Sequence, residues 1–384
     1  MKIDIRIDGG RVIDPAAAVD RIADIFIKDN RIVDMPDNSQ PEAKVTIDAT
    51  GCIVLPGLID FHAHYFAGGT EFGISPDSSF LPVGVTAAVD AGSAGTSNYD
   101  SFARYTACAS RMRTFSFLNV SPTGLITASY NECIDPRYYD RGRIAELFER
   151  YQGQLIGLKV RQSKGVAKEL GLQPLAATLD IAEQVGCPVV VHTTDPPDLA
   201  EDIVNMLRPG DIYCHVYNPG GDTILDQDGK VKQAFVAARQ KGKVRFDTAN
   251  GRIHFSSKIA RAAIQQDFAP DVISTDLIHH TAYGEYVFGL PFVMMQYISL
   301  GMSLPAVIEA CTATPAALLG MGGKIGTLRA GAFADVALFR IQEKEAVIND
   351  YFGDPMEITQ WLLPQMTILD GKIAYRQIDF GIKK

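Results

Sequence analysis

A chain of 384 residues, 47% of them hydrophobic, can bury one large core with a small satellite and is too apolar to be disordered as a whole. The formal net charge of −9, with no basic run, argues against a surface that tracks nucleic-acid phosphates. Cys52, Cys108, Cys133, Cys187, Cys214 and Cys311 are scattered without a CxxC pair. They read as buried small hydrophobes in a reducing compartment, so a cytoplasmic location is expected.

The first residues, MKIDIRIDGGRVID, alternate apolar and polar and lack the basic and apolar regions of a signal peptide, so they read as a strand of the mature fold. Further β segments are predicted at Ile25 to Lys28 and Val45 to Ala49, and near the other end at Asp335 to Phe339, Gln365 to Leu369 and Lys372 to Arg376. Between them, β-branched runs alternate with helical patterns. The strand candidates are Ile59 to Tyr65, Val85 to Asp90, Thr114 to Val120, Leu155 to Val160, Pro188 to Thr193, Asp211 to Val216, Lys243 to Thr248 and Asp271 to Asp276. The helical patterns include Arg143 to Tyr151, Pro174 to Val185, Leu199 to Leu207, Val231 to Lys241 and Ser257 to Gln266. Tyr286 to Met302 is apolar but interrupted by Pro291 and Gln296, and it reads as a buried helix, too short to span a bilayer.

Strand-helix alternation implies a parallel sheet with crossover helices. Eight such units over about 270 residues match an α/β fold of the (β/α)8 TIM-barrel type, with its site at the C-terminal strand ends. The expected organisation is a barrel over 56–330 and a small β-sandwich domain built from 1–55 and 331–384.

Several of these strands carry unusual polar residues. The first carries His62-Ala63-His64, and the period of two along a strand turns both imidazoles to one side. Alone, this spacing fits a packing accident as well as a metal site. The fourth carries Lys159 in an apolar run, where an unpaired ammonium is costly. Either Lys159 reaches solvent or a carboxylate at the strand end, or its neutral amine, favoured by burial, takes up CO2 to give a carbamate that bridges two cations. The fifth and sixth each close an apolar run with a histidine, His192 and His215, which are core histidines or ligands. The eighth ends in Asp276, either a helix cap or a carboxylate that meets a cation or takes part in catalysis.

Taken in order, His62, His64, Lys159, His192, His215 and Asp276 resemble the pattern of the amidohydrolase superfamily: HxH on strand one, a carboxylated lysine on strand four, a histidine on each of strands five and six, and an aspartate on strand eight. The segments Cys52 to Phe61, leading into the HxH, and Gly326 to Val336, after the barrel, are similar to that superfamily's flanking signatures, so the resemblance covers nearly the whole chain. Within it, Leu158-Lys159-Val160-Arg161 and Val191-His192 followed by Asp195-Pro196-Pro197 resemble the amidohydrolase/deacetylase metallohydrolase branch, often labelled dihydroorotase-like.

The resemblance implies two divalent metal ions, with zinc suited to nitrogen and oxygen donors. One would be held by His62, His64 and Asp276, the other by His192 and His215. N6-carboxylysine at Lys159 and a hydroxide would bridge them. Asp276 would act as general base and acid. The implied reaction is hydrolysis of an amide or ester bond, foremost deacylation of an N-acyl amino acid or acyl hydroxy acid, with a cyclic amidohydrolase of the dihydroorotase or hydantoinase kind as the alternative. The expected substrate is a small carboxylate-bearing molecule, with no nucleic-acid or membrane partner, and the expected assembly is a homo-oligomer. Arg161, two residues beyond Lys159 and on the same strand face, either clasps the substrate carboxylate or pairs with a structural acid such as Asp195 or with a loop. His254, His279 and His280 have no place in the ligand pattern and are assigned structural or surface roles.

Overall fold

The structure is a computed structural model and describes residues 2–35, 41–240, 242 and 244–383. Seven strands form one parallel sheet, in which each pairs with the next in chain order: Leu58–Ala63, Val85–Ala91, Arg113–Asn119, Leu155–Arg161, Val189–His192, Ile212–Cys214 and Arg245–Asp247. They are the strand candidates of the sequence, trimmed or extended at their ends. The second strand is buried at every position, as expected where both faces of a parallel sheet are covered. Lys241 and Lys243, which close one predicted helix and open the next predicted strand, lie outside the described residues.

The predicted eighth strand does not form a regular strand. Its pairing is reduced to two isolated parallel bridges, Val272 with Asp247 and Leu277 with Ala63. These join it to both edges of the seven-stranded sheet. Hydrogen bonds from Thr248 N to Val272 O (3.1 Å) and from His64 N to Leu277 O (3.0 Å) run along the same two seams. Between the bridges Asp276 adopts φ 50°, outside the extended region, and its N–H still bonds His62 O at 2.7 Å.

Helices Arg141–Arg150, Gln173–Val185, Ala200–Met206, Gln233–Gln240 and Ser257–Ile264 follow the predicted patterns. The apolar 286–302 stretch contributes a shorter, mostly buried helix, Leu290–Ser299, with Pro291 in its first turn, where a missing N–H costs nothing. No described helix is long and apolar enough to cross a membrane.

The terminal segments join in one nine-stranded mixed sheet. Ile3–Asp14 pairs with Val19–Lys28, Ala43–Asp48 and Cys52–Pro56, and the last of these pairs antiparallel with Val336–Asn349, which continues to Pro355–Leu369 and Lys372–Arg376. The long 336–369 hairpin exceeds its predicted strands because residues beyond Phe339 are mostly half-exposed or exposed and polar, so an apolar-run reading stops there. Gly57 connects the two sheets. A Cβ there would lie 2.2 Å from Thr86 Oγ1, so this close approach requires glycine.

Candidate active site

The predicted residues converge at the C-terminal ends of the parallel strands. Lys159 is 2% exposed, and its Nζ lies 3.4 Å from His62 Nε2 and 3.7 Å from Cys214 Sγ. Gly92, at φ 87°, makes room for it, since a Cβ at that position would sit 2.6 Å from Lys159 Cβ. The pairing of the first two strands shifts register between Asp60 and Ala63, an irregularity of the kind that re-aims a side chain, here at His62.

Each of three imidazoles has one nitrogen fixed from behind. His62 Nδ1 is 3.1 Å from Asp247 Oδ2, His64 Nδ1 is 2.9 Å from Ser93 Oγ, and His215 Nδ1 is 2.8 Å from Ala249 O. Their Nε2 atoms are thereby left for the centre. His64 Nε2 and His62 Nε2 lie 3.3 and 3.8 Å from Asp276 Oδ1. His215 Nε2 is buried and has no hydrogen-bond partner among the described residues. His215 (φ 59°) and Asp276 (φ 50°) both adopt the left-handed conformation, a strain of the sort that persists at functional sites when surrounding contacts enforce it.

His254 is also in the site. It leaves the seventh strand in a loop, its Nδ1 lies 2.8 Å from Thr194 Oγ1, and its Nε2 lies 3.7 Å from Asp276 Oδ2. Its ring centroid is 4.4 Å from that of His215 and 5.0 Å from that of His192. The structural or surface role assigned to it from sequence is therefore incomplete. The signal that could have found it is its position just past a strand end on the face where barrel sites collect. His279 and His280 are exposed, as expected.

Arg161 faces the same cavity, and the acid it meets is Glu132, from the loop after the third strand, rather than Asp195. Its Nη1 donates to Glu132 Oε2 at 2.7 Å, and Asn119 Nδ2 donates to the other oxygen at 3.1 Å. The Glu132 side chain is fully buried. The cavity has a volume of about 100 Å³ and is lined by His64, Lys159, Arg161, His192, His254 and Asp276, with Phe72, Leu125 and Ile278 as apolar walls.

Burial drives the pKa values of His192 and His215 well below the ordinary imidazole range, helped by neighbouring imidazoles. Burial, then the Lys159 charge, lowers His62. Burial brings His254 down to about 4. Burial alone would raise Asp276, but the hydrogen bond from His64 and the imidazoles of His62 and His215 outweigh it and hold the carboxyl below its usual range. Imidazoles held below their usual range, as at His62, His192, His215 and His254, favour the proton-free form that divalent cations require of their ligands. Three groups have ligand atoms within 4.8 Å of one another: His62, His64 and Asp276; His192, His215 and His254; and His62, Cys214 and His215. Together with the orphaned His215 nitrogen, this donor set fits a metal centre. The six cysteines are free, but Cys108 is exposed and Cys133 and Cys187 are only half-buried, which corrects their uniform reading as core residues.

Residues 173–374 match the amidohydrolase family. A deacetylase of Agrobacterium fabrum is 32% identical over 326 residues, covering 84% of this chain and 79% of that protein. The crystal structure of an adenine deaminase superposes with a TM-score of 0.89 at 28% identity, covering 98% of this chain and 100% of that one. That of a dihydroorotase gives 0.83 at 29% identity and covers 98% of each. A family match over more than half of the chain and a relative of this identity over most of its length establish that the protein belongs to the amidohydrolase family, as a metal-dependent hydrolytic enzyme.

Proposed function

We propose that the protein is a binuclear, zinc-dependent deacylase that hydrolyses the acyl bond of an N-acyl amino acid or an acyl hydroxy acid. The observation that carries this reading is the convergence of His62, His64, His192, His215 and Asp276 around the buried Lys159 Nζ, with His215 Nε2 left unpartnered. His62, His64 and Asp276 would hold one cation and His192 and His215 the other, with N6-carboxylysine at Lys159 between them. Two cations at such a centre make water acidic enough to be a nucleophile near neutral pH and polarise the scissile carbonyl. Asp276 accepts the proton of the attacking water at a carboxylate oxygen and returns it to the leaving amine or alkoxide. Arg161, braced by Glu132, offers its remaining donors to a substrate carboxylate. Asp247, Ser93 and the Ala249 carbonyl keep the three imidazoles oriented.

The same reading takes 56–330 as a (β/α)8 barrel closed through the 271–277 segment, and 1–55 with 331–384 as the small β domain. The two bridges at Val272 and Leu277 support the closure. Six free cysteines support a reducing, cytoplasmic setting. The deacetylase name of the Agrobacterium relative favours a short acyl group. A second reading, hydrolysis of a cyclic amide, is favoured by the 29% identity to the dihydroorotase structure. The test is a turnover screen of zinc-loaded, bicarbonate-treated protein against N-acyl amino acids, acyl hydroxy acids, dihydroorotate, hydantoins and adenine. Preference for the first two classes is expected, and turnover confined to cyclic amides or to adenine would replace the reading.

A further inference from the structure

The long 336–369 hairpin belongs to the outer sheet, yet its second strand is packed on the barrel. Met356, Ile358 and Leu362 are buried in the main core, and Leu362 N lies 3.2 Å from Met295 Sδ of the Leu290–Ser299 helix. The hairpin's tip, residues 350–354, reaches the loop after the seventh strand, the loop that carries His254. Asp350 is 3% exposed. Its Oδ1 accepts from Phe352 N and Asp354 N, both at 2.9 Å, and so shapes the tip itself. Its Oδ2 leaves the hairpin and accepts from Ser257 N at 2.8 Å. Ser257 opens the Ser257–Ile264 helix, so this N–H has no partner within the helix, and the helix dipole favours a carboxylate there. Ser256 already caps the same helix locally by accepting from Ile259 N. What Asp350 adds is a tie between the tip and the loop.

A second tie lies at the other end of the loop. The Arg252 guanidinium sits over the Tyr351 ring at 5.3 Å, and Tyr351 meets Tyr286 edge to face at 5.5 Å. On the barrel side the loop is held by Gly251 N to Thr275 O (2.9 Å) and Ser256 N to Tyr217 O (3.0 Å). His254 stands between these ties. Thr194 Oγ1, 2.8 Å from its Nδ1, sets the rotation of the ring, whereas the ties set where its backbone stands. The Lys258–Asp354 pair nearby is exposed at the lysine and adds little.

We propose that Asp350 and Tyr351 are positioning residues: from the outer sheet they hold the 251–257 loop against the barrel, so that His254 keeps its place in the cavity wall. This rests on the function proposed above only in taking the cavity as the catalytic one. Neither residue lines the cavity, so each acts through the loop. Displacing a cavity group by about 1 Å can cost as much as 10²-fold in rate, even when the cause lies far from the chemistry.

The test is hydrogen exchange of the full-length, metal-free protein read by mass spectrometry, with turnover of the same variants after zinc loading. Asp350→Asn keeps the shape and can still hold the tip through its oxygen, but its amide nitrogen cannot accept from Ser257. Exchange across 251–257 should rise by about 10-fold, the loss expected for one hydrogen bond to a charged acceptor, while the fourth strand exchanges as in wild type. Tyr351→Ala, at a residue 42% exposed, should loosen the same segment and serves if the Asp350 variant does not fold. Lys258→Ala, which removes only the exposed ion pair, should leave it unchanged. On the substrate turned over fastest in the screen above, Asp350→Asn should lower kcat/KM by about 10-fold. Added to His254→Gln it should cost less than about twofold more, because both changes act through one group. A general loss of stability would instead add in full. Unchanged exchange in both loop variants, unchanged kcat/KM in Asp350→Asn, or fully additive losses would each overturn the proposal. A wild-type protein that turns over no substrate in the screen would overturn the proposed function, and the exchange result would still decide whether the tip holds the loop.

Discussion

Asp247 Oδ2 sits 3.1 Å from His62 Nδ1, and both side chains are sealed from solvent. Asp247 is itself held by Ser274 Oγ at 2.5 Å and Ala249 N at 3.3 Å. A carboxylate so placed keeps the proton on Nδ1 and leaves the Nε2 lone pair facing Lys159 and Asp276. Asp247→Ala should therefore weaken metal binding by about 10- to 100-fold, the usual cost of losing a carboxylate behind a histidine ligand. Competition with a chelating dye measures this directly, and unchanged affinity would remove Asp247 from the centre.

If Lys159 carries the proposed bridging carbamate, Lys159→Ala removes it and should abolish most turnover. Because the vacated space is buried and bordered by His62 and Cys214, short carboxylic acids should partly restore activity in proportion to concentration. Rescue by acetate or propionate but not by alkylamines would identify a missing anion. Rescue by amines alone would point to an uncarboxylated lysine.

Asp276→Asn keeps the side-chain volume but cannot accept the water's proton. Turnover should fall by roughly 10²- to 10⁴-fold, the typical contribution of a positioned base, while much of the bound metal remains. Steady-state kinetics with metal analysis of the same sample separates the two effects, and turnover within about tenfold of wild type would exclude Asp276 as the base.

These sites differ in how clearly the sequence announces them. Lys159, His192 and His215 stand out because an ionisable group inside or ending an apolar run is costly without a partner. Asp276 stands out for the same reason, yet its left-handed backbone, at the end of the expected eighth strand, leaves no mark in the sequence. His254 and Glu132 lie in loops with no period to read, and they join the site only through long-range folding. Cys214 reads as core, and it is core. Its proximity to Lys159 depends on the alignment of two strands separated in the chain by a third.

Acid should destabilise the metal-free protein through its buried imidazoles. His254 has a folded pKa of about 4 against an unfolded value near 6.5. Between those values the unfolded chain binds more protons than the folded one, so stability falls as pH drops below about 6.5 and this contribution levels off below about 4. His62, His192 and His215 act in the same direction. Asp60, raised by burial to about 7, acts oppositely, so the wild-type slope alone is not diagnostic. Comparison with His254→Gln isolates the term: wild type should lose about 2 kcal/mol more than the variant between roughly pH 7 and pH 5 in urea unfolding. Parallel pH profiles would show that His254 takes up its proton in the folded state.

Arg161 is the residue at which the proposed substrate class can be tested. It lies two residues beyond Lys159 on the fourth strand, lines the cavity, and gives one terminal nitrogen to the buried Glu132. That brace fixes the guanidinium plane and leaves its other donors for a carboxylate, which a fork of N–H groups clasps with direction as well as charge. Arg161→Lys should be poorly tolerated although it conserves charge, because an ammonium cannot serve Glu132 and a substrate in the same geometry. Arg161→Met leaves Glu132 buried without its ion partner, so it should also cost stability, and activity on one substrate cannot separate the two effects. The separating measurement is kcat/KM on an acyl acid and on the neutral ester of the same acid, taken on one metal-loaded preparation. Damage to folding or metal loading lowers both values equally and cancels in their ratio. If Arg161 binds the carboxylate, the ratio should fall by about 10-fold or more, the loss expected when a charged hydrogen-bonded contact worth about 1.5–3 kcal/mol disappears. An unchanged ratio would make Arg161 a structural partner of Glu132 and exclude it as the carboxylate contact.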